Sequence, residues 1–209
     1  MPNWCNNSVE IYHEDPAMLE RVRKAFDEGT LLQEFIPIPA DLQIVAGSVG
    51  AKGSPEQNEL ELKEEFNRIT HGYATWYDFC VNEWGTKWDI AADGNPAQDI
   101  PGGLMLGFDS AWSPPIAAYE KLEEQGFRIR AMYYEPGMAY AGIWEDGMDD
   151  YYEYGGLDSA GIAEELPAEL DEAFCISESV AEWEAENEEN IDIDLDGGVS
   201  AVNEQEEEK

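Results

Sequence analysis

Thiols, imidazoles and positively charged side chains are scarce in this 209-residue chain. It has 11 Lys and Arg, two His and three Cys, against 47 Asp and Glu. The cysteines, Cys5, Cys80 and Cys175, are odd in number and have no CxxC spacing, and the two histidines lie far apart. A zinc site or a disulfide framework needs closer spacing or an even count. We therefore expect free thiols in a reducing cytoplasm, with no bound metal and no cofactor.

Long apolar runs and familiar catalytic motifs are also lacking. No segment approaches the roughly 20 apolar residues that cross a bilayer, and no secretory signal is recognisable. The motifs GxGxxG and GxSxG and the Walker loop are absent. With a formal net charge of −36, the chain is expected to repel nucleic acid and anionic membranes and to attract basic proteins. The sequence thus predicts a cytoplasmic protein that is not an enzyme.

The acidic residues are concentrated towards the C-terminus. Residues 145–209 hold 24 Asp and Glu and one base, Lys209, whereas residues 1–144 hold 23 acids and 10 bases. The formal charges of the two parts are therefore −23 and −13. A chain that used acids only for solubility would spread them over its whole surface. The concentration favours a specific role for the C-terminal part.

Alternation and capping signals predict the first elements. Val9 and Ile11 alternate with Glu10 and Tyr12, which is typical of a strand. Asp15-Pro16 then predicts the start of a helix, and Gly29 predicts its end. Residues 31–43 are expected to be extended, because they contain two prolines that exclude a helix interior.

An inserted helical segment is predicted at about residues 30–100. It holds a loop at 47–58, a short helix at 59–70 and an aromatic helix at Tyr73–Phe79. The turn NEWGTKWD follows, in which Trp84 and Trp88 flank three turn residues. The two indoles either fill the core, where each NH needs one partner, or form an aromatic binding surface.

Residues 103–156 predict further strands and one helix. In order, these are a strand at Gly103–Phe108, a helix N-capped by Ser113, a hairpin of Phe127–Ala131 and Met138–Trp144 about the turn Glu135–Gly137, and an edge strand at Met148–Gly156. Arg128 and Arg130 give one strand of the hairpin a wet face. The pattern predicts an α+β fold.

The remaining residues change character. Residues 157–174 and 177–190 predict one or two helices with acidic outer faces. IDIDLDGG (Ile191–Gly198) alternates strictly and predicts a strand or a docking segment. It lacks the spacing of a calcium loop. The final NEQEEEK is expected to be disordered.

Five separated motifs together resemble one family. They are MPNWCNN (Met1–Asn7), EFIPIP (Glu34–Pro39), NEWGTKWD (Asn82–Asp89), FDSAWSPP (Phe108–Pro115) and YYEPGMAYAG (Tyr133–Gly142). In this order they resemble the YubB-type ferredoxin-like family of phage and plasmid proteins. The resemblance covers roughly residues 1–145 and carries over no catalytic residues.

The resemblance implies a ferredoxin-like antiparallel sheet with two helices on one face. We therefore expect a ferredoxin-like core at residues 1–154, interrupted by the inserted segment, and an acidic, partly helical extension at 155–209 that lies outside the family pattern.

The leading functional hypothesis is nucleic-acid mimicry. Carboxylates displayed at phosphate-like spacing could occupy the groove of a basic, nucleic-acid-binding host protein, and a phage or plasmid origin favours a defence nuclease such as a restriction or CRISPR effector. Duplex DNA carries roughly one charge per 1.7 Å of its axis. Apolar anchors at Phe174 and Trp183 would supply specificity. The predicted partner-binding residues are Asp149, Asp150, Glu153, Glu164, Glu165, Glu169, Asp171, Glu172, Glu178, Glu182, Trp183 and Glu186.

Two alternatives remain open. The aromatic turns could instead line a small-molecule pocket in a ligand-binding or regulatory module, with Trp84, Lys87, Trp88, Asp109, Trp112, Tyr134 and Glu135 as its residues. A less favoured alternative is a hydrolase that uses paired carboxylates among Asp89, Asp109 and Glu135. In the structural interpretation, each of these carboxylates caps a turn or pairs with Lys87, Arg128 or Arg130.

Overall fold

A computed structural model of the chain describes residues 3–196, with side chains as far as Asn187. The chain forms two compact units, the first ending at Gly155 and the second beginning at Gly156. None of the described helices is both long and apolar enough to cross a membrane.

The first unit is an α+β structure built on one open sheet of six antiparallel strands in the order β2-β3-β1-β4-β5-β6. The strands are β1 (Trp4–Tyr12), β2 (Gln98–Ile100), β3 (Gly103–Ala111), β4 (Arg128–Glu135), β5 (Tyr140–Glu145) and β6 (Met148–Glu153). Its helices are α1 (Pro16–Glu28), α2 (Leu31–Phe35), α3 (Pro55–His71), α4 (Trp76–Phe79) and α5 (Ile116–Glu124), with a 3-10 turn at Ala40–Leu42 and a π-helical turn at Cys80–Trp84.

The core lies between one face of the sheet and the helices. Alternate residues of β1, Val9 and Ile11 among them, are buried together with Phe26 of α1 and with Tyr119 and Leu122 of α5. The period of two in the strand and the helical spacing of α1 and α5 bring these apolar faces together. The strand and helix predicted from the N-terminal pattern are confirmed, as is the antiparallel α+β class.

Local signals fix α1 as the sequence predicts. The Asp15 carboxylate accepts a hydrogen bond from the Ala17 N–H at 2.9 Å, and Pro16 occupies the first turn. Gly29 ends the helix in the left-handed conformation, and its N–H donates to carbonyls of the last turn. Both caps satisfy backbone groups that a helix terminus leaves unpaired.

Three predictions about the first unit are wrong in detail. Residues 31–35 form α2 rather than extended chain, because the prolines begin only after that helix has ended. Ser113 does not cap α5: the helix begins at Ile116, and the Ser113 hydroxyl donates to the Gly85 carbonyl instead. The helix expected at 59–70 starts earlier, at Pro55, because Ser54 caps it through the Gln57 N–H.

The described part of the second unit contains three helices, α6 (Ser159–Glu165), α7 (Ala168–Phe174) and α8 (Ile176–Asp196). The prediction of one or two helices is wrong because Pro167 separates α6 from α7. Helix α8 also includes residues 191–196, so this part of the alternating stretch is not a strand. Residues 197–209, which hold the rest of that stretch and the predicted disordered tail, lie outside the described residues.

Buried apolar residues and two carboxylates organise these helices. Ile162, Leu170 and Ile176 are almost wholly buried. Asp171 accepts hydrogen bonds from the Ser177 N–H at 2.7 Å and from its hydroxyl at 2.5 Å, which caps the first turn of α8. The second carboxylate, that of Glu184, accepts from both the N–H and the hydroxyl of Ser159 and so joins α8 to the start of α6.

Candidate binding sites

Three partly exposed tryptophans gather on the first unit. Trp4, Trp88 and Trp112 are 45%, 40% and 42% exposed. The ring centroids of Trp4 and Trp88 are 5.9 Å apart, and those of Trp88 and Trp112 are 6.5 Å apart. The β1–β3 register, which places Trp4 opposite Ala111, brings two of the rings to the same end of the sheet. Together with Lys87 they are called the Trp–Lys cluster below.

Hydrogen bonds hold Trp112 in an unusual backbone conformation. Its φ is +68°, in the left-handed region that bulky residues rarely adopt. Its N–H donates to the Asn3 carbonyl at 2.9 Å, and its carbonyl accepts from the Tyr140 hydroxyl at 2.6 Å. Such a conformation costs about 1–3 kcal/mol and persists only where the surroundings enforce it. The indole is therefore held outward rather than left exposed by chance.

The turn before Trp88 is clamped against the end of β3. The Thr86 hydroxyl donates to the Ala111 carbonyl and accepts from the Ala111 N–H, both at 3.1 Å. Gly85 has a φ of +80°, and a Cβ there would lie 3.2 Å from backbone nitrogens of α5. Only glycine fits this position without displacing the backbone.

The two indoles of this turn have different roles. Trp84 is 2% exposed, and its Nε1–H donates to the Ile36 carbonyl at 2.9 Å. Trp88 remains on the surface. The interpretation in which an indole fills the core thus holds for Trp84, and the interpretation as an aromatic surface fits Trp88.

The ammonium of Lys87 is surrounded by rings instead of carboxylates. Its Nζ lies 4.6 Å from the ring centroid of Trp88, 5.3 Å from that of Trp112 and 5.8 Å from that of Tyr77. Within the described part of the chain, seven of the ten Lys and Arg side chains pair with a carboxylate, and Lys87 is not among them. Each cation–π contact contributes about 0.5–2 kcal/mol.

A groove of about 450 Å³ adjoins the Trp–Lys cluster and is lined in part by Tyr77, Lys87 and Trp112. The other charged groups of its wall have partners of their own. Arg68 pairs with Glu64 at 3.3 Å, and the carboxylate of Asp78, which caps α4, accepts from the Thr75 N–H and hydroxyl. Lys87 is therefore the lining cation, among the described residues, that has no carboxylate partner.

All five sequence motifs converge on this region. The link from EFIPIP is the Ile36–Trp84 hydrogen bond, and NEWGTKWD is joined to FDSAWSPP by Thr86 and Ala111. The first and last motifs reach Trp112 through Asn3 and Tyr140, as described above. Segments far apart in the sequence therefore build one hydrogen-bonded structure.

The structure gathers only part of the predicted pocket. Lys87, Trp88 and Trp112 come together, whereas Trp84 is in the core. Tyr134 stacks on Tyr154, with ring centroids 6.2 Å apart. Sequence reasoning missed Trp4 and Tyr77, because only strand register and the path of the inserted segment bring them to the cluster.

The three candidate catalytic carboxylates have separate structural partners. Asp89 accepts from the backbone N–H groups of Leu32, Gln33 and Ile90 at 2.7–2.9 Å and so caps α2, while burial raises its pKa. Asp109 accepts from the Asn6 amide at 2.5 Å and is exposed. Glu135 is 1% exposed and accepts from two N–H groups of the following turn. The contacts of Asp89 and Glu135 match the structural interpretation, whereas Asp109 pairs with an amide and not with a base. No two of the three share a partner among the described residues.

The second unit displays its acids. Residues 156–187 include ten Asp and Glu and no Lys, Arg or His. Of the predicted partner-binding residues in this unit, those with exposed side chains are Glu164, Glu165, Glu169, Glu172, Glu178, Glu182, Trp183 and Glu186. Asp171 is instead engaged in capping α8. Trp183 is 64% exposed, between two glutamates.

Three of these glutamates form a stripe along α8. Glu178, Glu182 and Glu186 recur every four residues, which places them on one face of the helix at intervals of about 6 Å. One strand of duplex DNA carries a phosphate per about 3.4 Å of axis. The stripe alone has roughly half that linear density, so the acids of α6 and α7 are needed to approach it.

The three predicted partner-binding residues on β6, in the first unit, differ in their contacts. Asp150 and Glu153 are exposed. Asp149 accepts a hydrogen bond from the buried Tyr133 hydroxyl at 2.6 Å, so this carboxylate also supports the sheet.

No group of three or more His, Cys, Asp or Glu in the described part of the chain is arranged to hold a metal ion.

Comparison with known proteins adds little. No family model matches the chain, and no curated protein matches it. Among solved structures, the chain is similar to the protein api92 from Yersinia pseudotuberculosis, whose family model is DUF1281. The two are 15% identical over 75% of this chain and 99% of that chain, with a TM-score of 0.39. At that score the likeness carries no argument about fold or function.

Proposed function

We propose that this chain is a non-catalytic binding protein whose second unit occupies the basic, nucleic-acid-binding surface of a partner protein. The observation that carries the proposal is the composition and exposure of residues 156–187, which contain ten acids and no base. Nine of these acids lie on the three helices and the tenth, Asp158, caps α6, and seven of the predicted glutamates are exposed. A rigid acidic face of this kind competes with phosphates for Arg and Lys.

Apolar contact would accompany the charge. Trp183 projects from α8 with 64% of its surface exposed, and tryptophan is a frequent energetic anchor in protein interfaces. Charge alone accelerates association with any basic surface, and an aromatic anchor adds selectivity. Trp183 is therefore proposed as the residue that discriminates between basic partners.

The proposed partner class is a host defence nuclease, and it follows from the family resemblance. The strand order β2-β3-β1-β4, with α1 after β1 and α5 between β3 and β4, supports a ferredoxin-like core to which β5 and β6 are added. The convergence of the five motifs on one hydrogen-bonded region supports treating them as a unit, and so supports placement with the YubB-type proteins of phages and plasmids. Proteins of such elements face nucleases in the host cytoplasm.

The test is affinity capture of bacterial proteins by the full-length chain at moderate salt, followed by nuclease assays on what is captured. The stripe variant Glu178→Gln/Glu182→Gln/Glu186→Gln should lose at least tenfold in capture of a basic nuclease, and duplex DNA should release that nuclease from the unmodified chain. Trp183→Ala should weaken capture without changing charge.

The matched control removes three charges from the first unit instead, at the exposed residues Glu14, Glu120 and Glu124. These Glu→Gln changes alter the net charge by the same amount, so capture should be retained. Equal losses in both triple variants would show that only total charge matters, and capture that duplex DNA leaves unchanged would show that the partner's nucleic-acid surface is not involved. Either result would contradict the proposal.

A further inference from the structure

The Trp–Lys cluster has features that packing alone does not require. Because the chain has a net charge of −36, most lysine side chains are expected to have a carboxylate nearby. Lys87 nevertheless has three aromatic rings within 6 Å of its Nζ and no carboxylate within 4 Å among the described residues. Its charge is thus held at the surface without being neutralised.

The neighbouring indoles are held in place yet partly uncovered. Trp112 adopts a backbone conformation that two hydrogen bonds enforce, and Trp88 follows a turn clamped to β3. Each leaves about two-fifths of its surface exposed. Contiguous apolar surface of this kind on a soluble protein commonly marks a binding site, and fixed aromatic faces bind flat rings at low entropic cost.

The adjoining groove sets the size of the ligand. Its volume of about 450 Å³ falls within the range of small-molecule sites, which is roughly 300–1,000 Å³. Trp112 and Tyr77 supply aromatic walls, and the Lys87 Nζ lies 4.6 Å from the ring centroid of Trp88. The groove therefore combines stacking surface with one available positive charge.

Charge decides which ligand class fits. A cationic ligand would compete with the ammonium already in place among the rings. A polyanion would gain one contact at Lys87 while each further phosphate met the repulsion of a strongly acidic protein. A small molecule with a single anionic group avoids both penalties.

We infer that the Trp–Lys cluster and its groove bind a small planar aromatic anion, whose ring stacks on Trp112 or Trp88 and whose carboxylate or phosphate pairs with Lys87. This inference goes beyond the proposed function and rests on the first unit alone, so either can fail without the other.

The test is titration of the full-length protein with matched probes, followed by tryptophan fluorescence and isothermal calorimetry. Adenosine 5′-monophosphate and indole-3-acetate carry the two anionic groups, and adenosine and indole are their uncharged counterparts. At least one anion should bind about tenfold more tightly than its uncharged counterpart, the effect of one charge-assisted hydrogen bond. If only the monophosphate shows this preference, the site takes a phosphate, and if only indole-3-acetate shows it, the site takes a carboxylate.

Lys87→Gln should abolish the preference for the anion and leave weak stacking. Lys52→Gln is the matched control, because Lys52 likewise has no carboxylate partner in the described structure but lies exposed in the loop before α3. Trp112→Ala should weaken charged and uncharged probes alike, with circular dichroism to verify folding.

Four results would overturn the inference. They are no saturable binding of any probe, equal affinities for charged and uncharged members of both pairs, an unchanged preference in Lys87→Gln, and tighter binding of a ten-nucleotide single strand than of the monophosphate. The last result would identify a nucleic-acid platform instead.

Discussion

The Tyr140 hydroxyl donates a hydrogen bond of 2.6 Å to the carbonyl of Trp112. Through this bond Tyr140 at the start of β5 holds the residue that directly follows β3, although the two residues are 28 positions apart. The bond helps to hold the Trp112 backbone in its left-handed conformation, with φ +68°. It thereby keeps the indole beside Lys87. Stability and the geometry of the Trp–Lys cluster are therefore linked at one hydroxyl group.

Tyr140→Phe removes this bond and leaves the ring in place. We expect the free energy of unfolding to fall by about 1–2 kcal/mol, because the partly buried Trp112 carbonyl loses its donor. We also expect the tryptophan fluorescence of the folded protein to change. Urea denaturation followed by circular dichroism measures the first effect. Tyr152→Phe is the control: its hydroxyl makes no hydrogen bond among the described residues, so stability should stay within about 0.5 kcal/mol.

Gly85→Ala tests the clamp between the turn and α5. The new Cβ would lie 3.2 Å from the amide nitrogens of Ile116 and Ala117, in a backbone with φ +80°. Gly53→Ala has the same backbone cost, with φ +85°, and open space around the Cβ. We expect Gly85→Ala to lower the thermal midpoint distinctly more than Gly53→Ala. Equal shifts in calorimetry would show that the close approach is unimportant.

Much of the first unit follows from local signals, and the exceptions share a physical cause. Asp15 and Gly29 delimit α1 by contacts within a few residues, so their roles can be predicted. Helix α2 could not be predicted, because backbone N–H groups of its first turn donate to the carboxylate of Asp89. Asp89 lies 57 positions after Leu32, one of these donors. A cap supplied from so far away leaves no pattern in the helix itself.

The same reasoning applies to the candidate site. Trp84 and Trp88 are equivalent in the sequence, since both flank the turn, and only the position of the Ile36 carbonyl assigns Trp84 to the core. The pairing of Trp4 opposite Ala111 depends on strand register. Sequence could name aromatic candidates near the turn, but it could not say which of them meet.

Asp171→Ala should destabilise the second unit. The carboxylate accepts from both the N–H and the hydroxyl of Ser177 at the start of α8, and loss of a helix N-cap costs about 0.5–2 kcal/mol. Glu172→Ala removes the same charge at an exposed neighbouring position. We expect faster amide hydrogen exchange at the start of α8 in Asp171→Ala only. The same exchange pattern in both variants would mean that charge, not capping, controls this helix.

The three thiols should differ in reactivity. Burial raises the pKa of Cys5 and of Cys80 to about 12, whereas Cys175 is exposed. The thiolate is the reactive form, so at pH 8 one equivalent of a disulfide reagent should react rapidly with the folded protein and three should react in denaturant. Cys175→Ser should remove the rapid phase. A rapid phase that persists in that variant would show that a buried thiol is accessible.

The same two thiols predict a loss of stability in alkali. In the unfolded chain their pKa is near 8.5, and in the folded protein it is raised. Their contribution to stability is therefore complete below about pH 8 and is lost as pH rises towards 12, because only the unfolded chain releases the protons. The Cys5→Ala/Cys80→Ala variant should show a shallower decline between pH 8 and pH 10 in urea titrations.

The outer edge of the sheet carries negative charges that keep other chains from pairing with it. Strand β6 ends the strand order, and Asp150 and Glu153 face solvent along it. Negative charges on an edge strand prevent another chain from adding to it. Without these charges the edge would offer open backbone groups to its neighbours. Their loss would accordingly convert this protein from a dispersed solute into a template for sheet-to-sheet aggregation.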